Sequence, residues 1–248
     1  MKNFILLWRR EVAAYFLSPI AWVVSVFFLL SMGFSFWLLV MALAREGGGL
    51  TIMTHWFGSI FFWISLLSAA PLLTMRLFAE ERRSGTLELL LTAPVREVEV
   101  VLAKYAAALT FYAALWAPTL VYVIVLRAYS PITAPMDMGA LAVGYLGAFL
   151  VGGLFLALGL LASALTRNQI IAAVTGFGLV SAVFFASFVP WVWRTDTLQR
   201  LSVYFSPVGH MMDFARGVVD TRAVAFYLIN TALVLFATVR ALDHRSAP

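Results

Sequence analysis

Glu80-Glu81-Arg82-Arg83-Ser84-Gly85-Thr86-Leu87-Glu88-Leu89-Leu90-Leu91-Thr92-Ala93-Pro94 is a charged, broken stretch set between two long apolar runs. The runs on either side, Trp56–Ala79 and Val100–Leu126, each exceed the roughly 20 apolar residues that cross a bilayer. The stretch therefore joins two membrane spans. Nothing in a lipid-buried scaffold requires such a segment, so it is where this chain is expected to meet something soluble.

The rest of the chain agrees. Of 248 residues, 63% are hydrophobic and 12% charged, against about 25% charged in a soluble domain. Further apolar runs cover Ile20–Ala44, Gly139–Leu165, Ile170–Pro190 and Ala223–Leu242. The fold class expected is an all-α polytopic membrane protein, one membrane domain over 1–248 with six transmembrane helices. The formal charge of +5 comes from scattered bases near the ends of the runs, a topogenic pattern that does not point to nucleic acid. Zero cysteines exclude disulfides, thiolate metal sites and cysteine nucleophiles.

Six spans put both termini on one side. That side holds Lys2, Arg9, Arg10, Arg76, Arg82, Arg83, Arg96, Lys104, Arg167, Arg240 and Arg245. The other side holds the smaller set Arg45, Arg127, Arg194, Arg200, Arg216 and Arg222. The richer side is expected to be cytoplasmic. Ala42-Leu43-Ala44 has a small-x-small form, but the run before it is longer than the about 7–15 residues of a signal-peptide core. An uncleaved first span is expected.

Before that span, residues 1–18 read as an amphipathic helix lying in the membrane plane. Phe4, Ile5, Trp8, Val12, Tyr15 and Phe16 share one face, with Lys2, Asn3, Arg9 and Arg10 opposite. Ser18-Pro19 ends it. Anchoring alone and anchoring with a partner contact both remain open. In the fourth span Gly144, Ala148, Gly152, Gly159 and Ser163 form a small-residue face for close helix approach, within the chain or to a second copy.

Residues 80–94 have a local logic. The second span continues as helix through Glu80-Glu81-Arg82-Arg83, and Ser84-Gly85 breaks it. Thr86 can cap a short helix, Leu87–Leu91, with Pro94 suiting the first turn of the next. Leucines outside the bilayer need burial against headgroups or a protein groove.

This string resembles the Glu-Glu-x-x-Gly-Thr-Leu-Glu-x-Leu-Leu-x-x-Pro hallmark of type-2 ABC exporter permeases. Phe16-Leu17-Ser18-Pro19-Ile20 and Ser206-Pro207, His210, Phe214 and Arg216-Gly217-Val218-Val219-Asp220-Thr221-Arg222 are similar to the gliding-motility (GldF-type) branch. The resemblance implies a subunit that dimerises with a second copy or close homologue in a bacterial inner membrane. It also implies two ATP-binding cassette subunits on the cytoplasmic face. Residues 80–94 would then be a cytoplasmic coupling helix between spans 2 and 3. Glu80, Glu81 and Glu88 would offer carboxylates to the ATPase, Gly85 would set the bend, and Leu87 and Leu90 would supply buried anchors. Phe4, Trp8, Arg9 and Arg10 of the in-plane helix would form a second contact. No Gly-x-x-x-x-Gly-Lys-Ser/Thr occurs in this chain, so ATP and magnesium are expected on the partner, with no cofactor and no catalysis here.

Residues 191–221 are too long for a loop tip. Leu198, Leu201 and Phe205 share a helical face, and Ser206 can cap a second short helix begun by Pro207. An external re-entrant helical hairpin before span 6 is expected, carrying Ser206, Pro207, His210, Arg216, Gly217 and Asp220. His210-Met211-Met212-Asp213 invites a metal reading, but adjacent residues face different ways on a helix, so interfacial packing is preferred. Arg76 reads as a snorkelling residue or a gate charge. Tyr227, Asn230 and Thr231 form a polar stripe that joins helices. Two other classes compete: a non-transporting membrane subunit of an ATPase-driven envelope or motility machine, and a channel or secondary transporter. The latter would want intramembrane carboxylates or broken spans.

Overall fold

The computed structural model describes residues 2–46, 52–86, 96–129, 137–188 and 204–246, and every regular element among them is helical. In chain order these are α1 (Lys2–Phe16), α2 (Pro19–Glu46), α3 (Ile52–Gly58), α4 (Ile60–Thr74), α5 (Arg76–Ser84) and α6 (Glu97–Trp116). There follow α7 (Leu120–Tyr129), α8 (Met138–Leu165), α9 (Gln169–Phe185), α10 (Pro207–Ala215) and α11 (Thr221–Ser246). Among the described residues six spans are long and apolar enough to cross a membrane: Pro19–Leu43, Ile60–Ser84, Glu97–Ala128, Met138–Leu165, Gln169–Phe188 and Thr221–Asp243. Five match the apolar runs closely. The second begins later than expected, because Ser59 takes extended backbone and its Oγ accepts from the Phe62 amide at 3.2 Å. The helix starts afresh there, and Trp56 belongs to the separate α3.

The fourth span is the hub. In its most apolar window 72% of residues are buried, against 33%, 22% and 28% for the first, fifth and sixth spans. Its small residues make this possible. A Cβ on Gly144 would overlap the Phe57 ring, one on Gly147 the Phe214 ring, one on Gly152 the Tyr112 ring and one on Gly159 the Thr74 side chain. The neighbours of this small-residue face are thus intramolecular, which answers the question the sequence left open.

The N-terminal helix α1 packs across the bundle. Trp8 and Tyr15 lie roughly 10 Å apart along it by helical rise, yet both meet the third span at one level. Trp8 Nε1 donates to Thr110 Oγ1 at 3.1 Å, and Tyr15 stacks on Phe111 with ring centroids 5.0 Å apart.

A helix end leaves its last four carbonyls without intrahelical donors, and at the end of α1 each has another partner. Ala13 O accepts from the Leu17 amide at 3.1 Å and Tyr15 O from the Ser18 amide at 3.1 Å. Phe16 O accepts from Trp22 Nε1 at 2.8 Å. Ala14 O accepts from Arg76 Nη2 at 3.0 Å, and the same guanidinium sits 4.9 Å from the centre of the Tyr15 ring. Arg76, expected as a snorkelling residue or a gate charge, has partners within the chain. It is a cation at a helix C-terminus, where the macrodipole favours one, supplied by another helix.

Candidate functional site

The second span is one run in sequence and two helices in structure. Pro71 has no N–H to give, and Thr74 Oγ1 turns back to Ala70 O at 2.8 Å, a bond that bends helices. Beyond Met75 a side chain from the fourth span enters the backbone ladder. Ser163 Oγ accepts from the amides of Phe78 and Ala79, both at 3.1 Å, and donates to Met75 O at 2.8 Å. One buried hydroxyl thus caps the start of α5 from outside.

The far end of α5 is finished as the sequence predicts. Gly85 takes left-handed backbone (φ 72°, ψ 3°), with nothing within 4 Å of where a Cβ would stand. Ser84 Oγ donates to Glu80 O at 3.0 Å and Thr86 Oγ1 to Glu81 O at 3.3 Å, serving the last carbonyls. Arg82 and Arg83 occupy the last turn, on the favourable side of the dipole. Glu80, Arg83, Gly85 and Thr86 are exposed. Leu87, Glu88, Leu90 and Pro94 lie outside the described residues.

Glu81 departs from expectation. Its Oε1 does not point away toward a partner but accepts from Lys104 Nζ at 2.8 Å and from Arg10 Nη2 at 3.1 Å. Lys104 also donates to Glu11 Oε1 at 3.1 Å, and Arg10 donates to the same atom at 2.7 Å. Four charges from α1, α5 and α6 close a neutral ring around an ammonium that is 2% exposed. The Lys104 side chain also lies over the Phe78 ring, 5.3 Å from its centre. Burial alone would raise the pKa of Glu11; the Lys104 charge and the bonds from Arg10 and Lys104 outweigh it and hold the carboxyl below its ordinary range. Deeper on the same face, the Tyr15 hydroxyl donates to Leu73 O at 2.8 Å, one of the last carbonyls of α4.

Sequence reasoning missed Glu11, Lys104, Tyr15 and Ser163 as site residues. A signal for Glu11 existed: on a helical wheel it falls beside Phe4 and Tyr15 at the edge of the apolar face, a carboxylate that needs a cation if it is buried. Of the α1 residues singled out, Trp8 and Phe4 are half-buried, Arg9 is exposed and Arg10 turns to the charge ring.

The opposite end of the bundle holds the other expected cluster. Ser206 Oγ accepts from the Gly209 amide at 3.0 Å and Pro207 opens α10, as the sequence predicts. His210 is buried, with Nδ1 3.3 Å from the Tyr227 hydroxyl. Met211 and Phe214 are buried, and Phe214 fills the space at Gly147. Arg216 ends α10, Gly217 turns the chain at φ 81° close to Ala140, and Asp220 Oδ1 accepts from the Arg222 amide at 2.8 Å to start α11. Residues 191–203 lie outside the described residues. Asn230 does not join helices: its Nδ2 donates to Phe226 O of its own helix at 2.7 Å. Among the described residues no three metal-ligating side chains cluster.

A family profile described as ABC-2 family transporter protein matches residues 50–238. The chain belongs to the ABC-2 transporter family. This ABC-2 family member is thus an integral membrane protein and a permease subunit of an ABC transporter, a class that works with a separate ATPase subunit. A comparison with curated proteins finds no match. The matched region of the ABC-2 family chain includes the junction at Met75, the whole Glu80–Pro94 stretch and the α10 cluster, while α1 lies before it.

Proposed function

We propose that the chain is the permease subunit of an ATP-driven exporter. In this reading it pairs with a second copy or close homologue and seats residues 80–94 in each of two cytoplasmic ATPase subunits. ATP and magnesium bind those subunits, and closure of the pair pushes on both coupling segments and opens a path between the two permeases. The termini lie in the cytoplasm of a bacterial cell and the α10 cluster roofs the path outside. Likeness of the Ser206-Pro207 and Arg216–Arg222 motifs to the gliding-motility branch supports placing it there.

The observation that carries this reading is α5. It is a helix set off from its span by the inserted Ser163 hydroxyl, and it ends at an exposed glycine turn inside the family's hallmark string. A lever with one end pivoted and the other presented outward is what a coupling segment requires.

Gly85→Ala tests it without a clash, since the new methyl meets no neighbour within 4 Å. The left-handed backbone makes the change cost about 1–3 kcal/mol locally. The chain is expected to remain folded while the ATPase subunit that co-purifies with the wild type is lost or hydrolyses ATP without transport. Undiminished co-purification and coupled transport would sink the proposal.

A further inference from the structure

We infer that Lys104 is the positioning residue that locks α1 and α5 to the third span, so that a push on residues 80–94 moves all three as one body. The functional meaning rests on reading that segment as the seat of an ATPase; the lock itself does not.

The geometry is that of a lock and not of a surface ion pair. Lys104 Nζ is engaged by Glu11 of α1 at 3.1 Å, by Glu81 of α5 at 2.8 Å and by the face of Phe78. Its partners are 93 and 23 residues away in sequence, on two different helices. Arg10 ties the same two oxygens together from the outer side at 2.7 and 3.1 Å. Exposed ion pairs contribute little and open easily. Removing one member of a buried set leaves an uncompensated charge and is strongly destabilising, so the Lys104 ammonium needs its carboxylates in place. The carboxylate of Glu81 belongs to the coupling string itself, yet it faces back into the protein. It therefore sits between the loop that would receive force and the span that would move.

A role in charge balance alone can be separated from a locking role. Lys104→Met leaves two carboxylates facing Arg10; adding Glu11→Gln restores neutrality, with Arg10 and Glu81 still paired, but removes the tie to the third span. The chain has no native cysteine, so Arg83→Cys and Val98→Cys, both exposed, take spin labels at the ends of α5 and α6. Pulsed electron resonance on the full chain in lipid nanodiscs reads the distance between them. Wild type is expected to give one narrow population. Lys104→Met with Glu11→Gln is expected to melt near wild type but to show a second, longer population. A wild-type distribution in that folded double variant overturns the inference. Glu81→Gln gives an independent test, since Lys104 keeps Glu11: a longer population supports the lock, and an unchanged one overturns it. The same pair read in the complex with the ATPase, with magnesium, ATP and vanadate, should not move in wild type and should shift in the double variant. If no ATPase associates with wild type, the exporter reading fails while the measurement on the chain alone still decides the lock.

Discussion

Ser163 does in one atom what two helix caps do elsewhere. Its oxygen serves two amides of α5 and its proton serves the last carbonyl before them. Ser163→Ala removes all three bonds from a buried place, so a loss of about 1–3 kcal/mol is expected, read as a lower melting temperature in detergent. The amides of Phe78 and Ala79 should also exchange hydrogen faster than their neighbours. Unchanged exchange there would show that the ladder of the second span closes without the serine. Arg76 follows the same logic at the other polarity, completing a helix it does not belong to. Neither role was legible in the sequence, because a cap supplied from elsewhere has no fixed spacing. Gly85 and Ser206 were legible because their caps are local: a glycine after a basic last turn, and Ser-Pro before an apolar helix.

At the scale of elements, α1 is the part the sequence described only by half. Its aromatic stripe could be read from the sequence, but its fastening could not. Within the chain Ile5 and Phe16 of the stripe are 48% and 44% exposed, while Glu11 at its edge is 8% exposed. The electrostatics of the ring have a pH signature with a definite sign. Glu11 has a folded pKa below its ordinary 4.5, so its contribution is fully present above that value. As pH falls further the unfolded chain takes up a proton that the folded one resists, and the contribution is lost as pH passes the folded value. Melting temperatures of the purified chain should therefore fall on acidification below pH 4.5. Glu11→Gln should make that limb shallower while lowering stability at neutral pH. An identical acid limb in the variant would mean that other carboxylates carry the effect. The six spans were legible because length and apolarity are properties of a segment alone. The junction at Met75 was legible only in part: Pro71 is a local signal, but the hydroxyl that caps α5 comes from a residue 88 positions away.

For the whole molecule the fourth span decides the packing. Tyr112 is pinned by its hydroxyl donating to Ala148 O at 2.9 Å, so its ring cannot retreat from a side chain placed at Gly152. Gly152→Leu is expected to cost at least about 1–3 kcal/mol by overpacking. Gly178→Ala in the fifth span, where an added Cβ meets nothing within 4 Å, should change stability by no more than about 1 kcal/mol. Melting curves of the two variants in one detergent compare them directly. Equal effects would mean that the hub is not where packing is decided. The same saturation bears on how the chain is made. Phe57, Tyr112 and Thr74, which fill the grooves at Gly144, Gly152 and Gly159, all precede the fourth span in sequence. Phe214, which fills the one at Gly147, comes after it. The grooves that Phe57, Tyr112 and Thr74 fill therefore exist only once the fourth span has been made, so the earlier spans complete their packing late in synthesis.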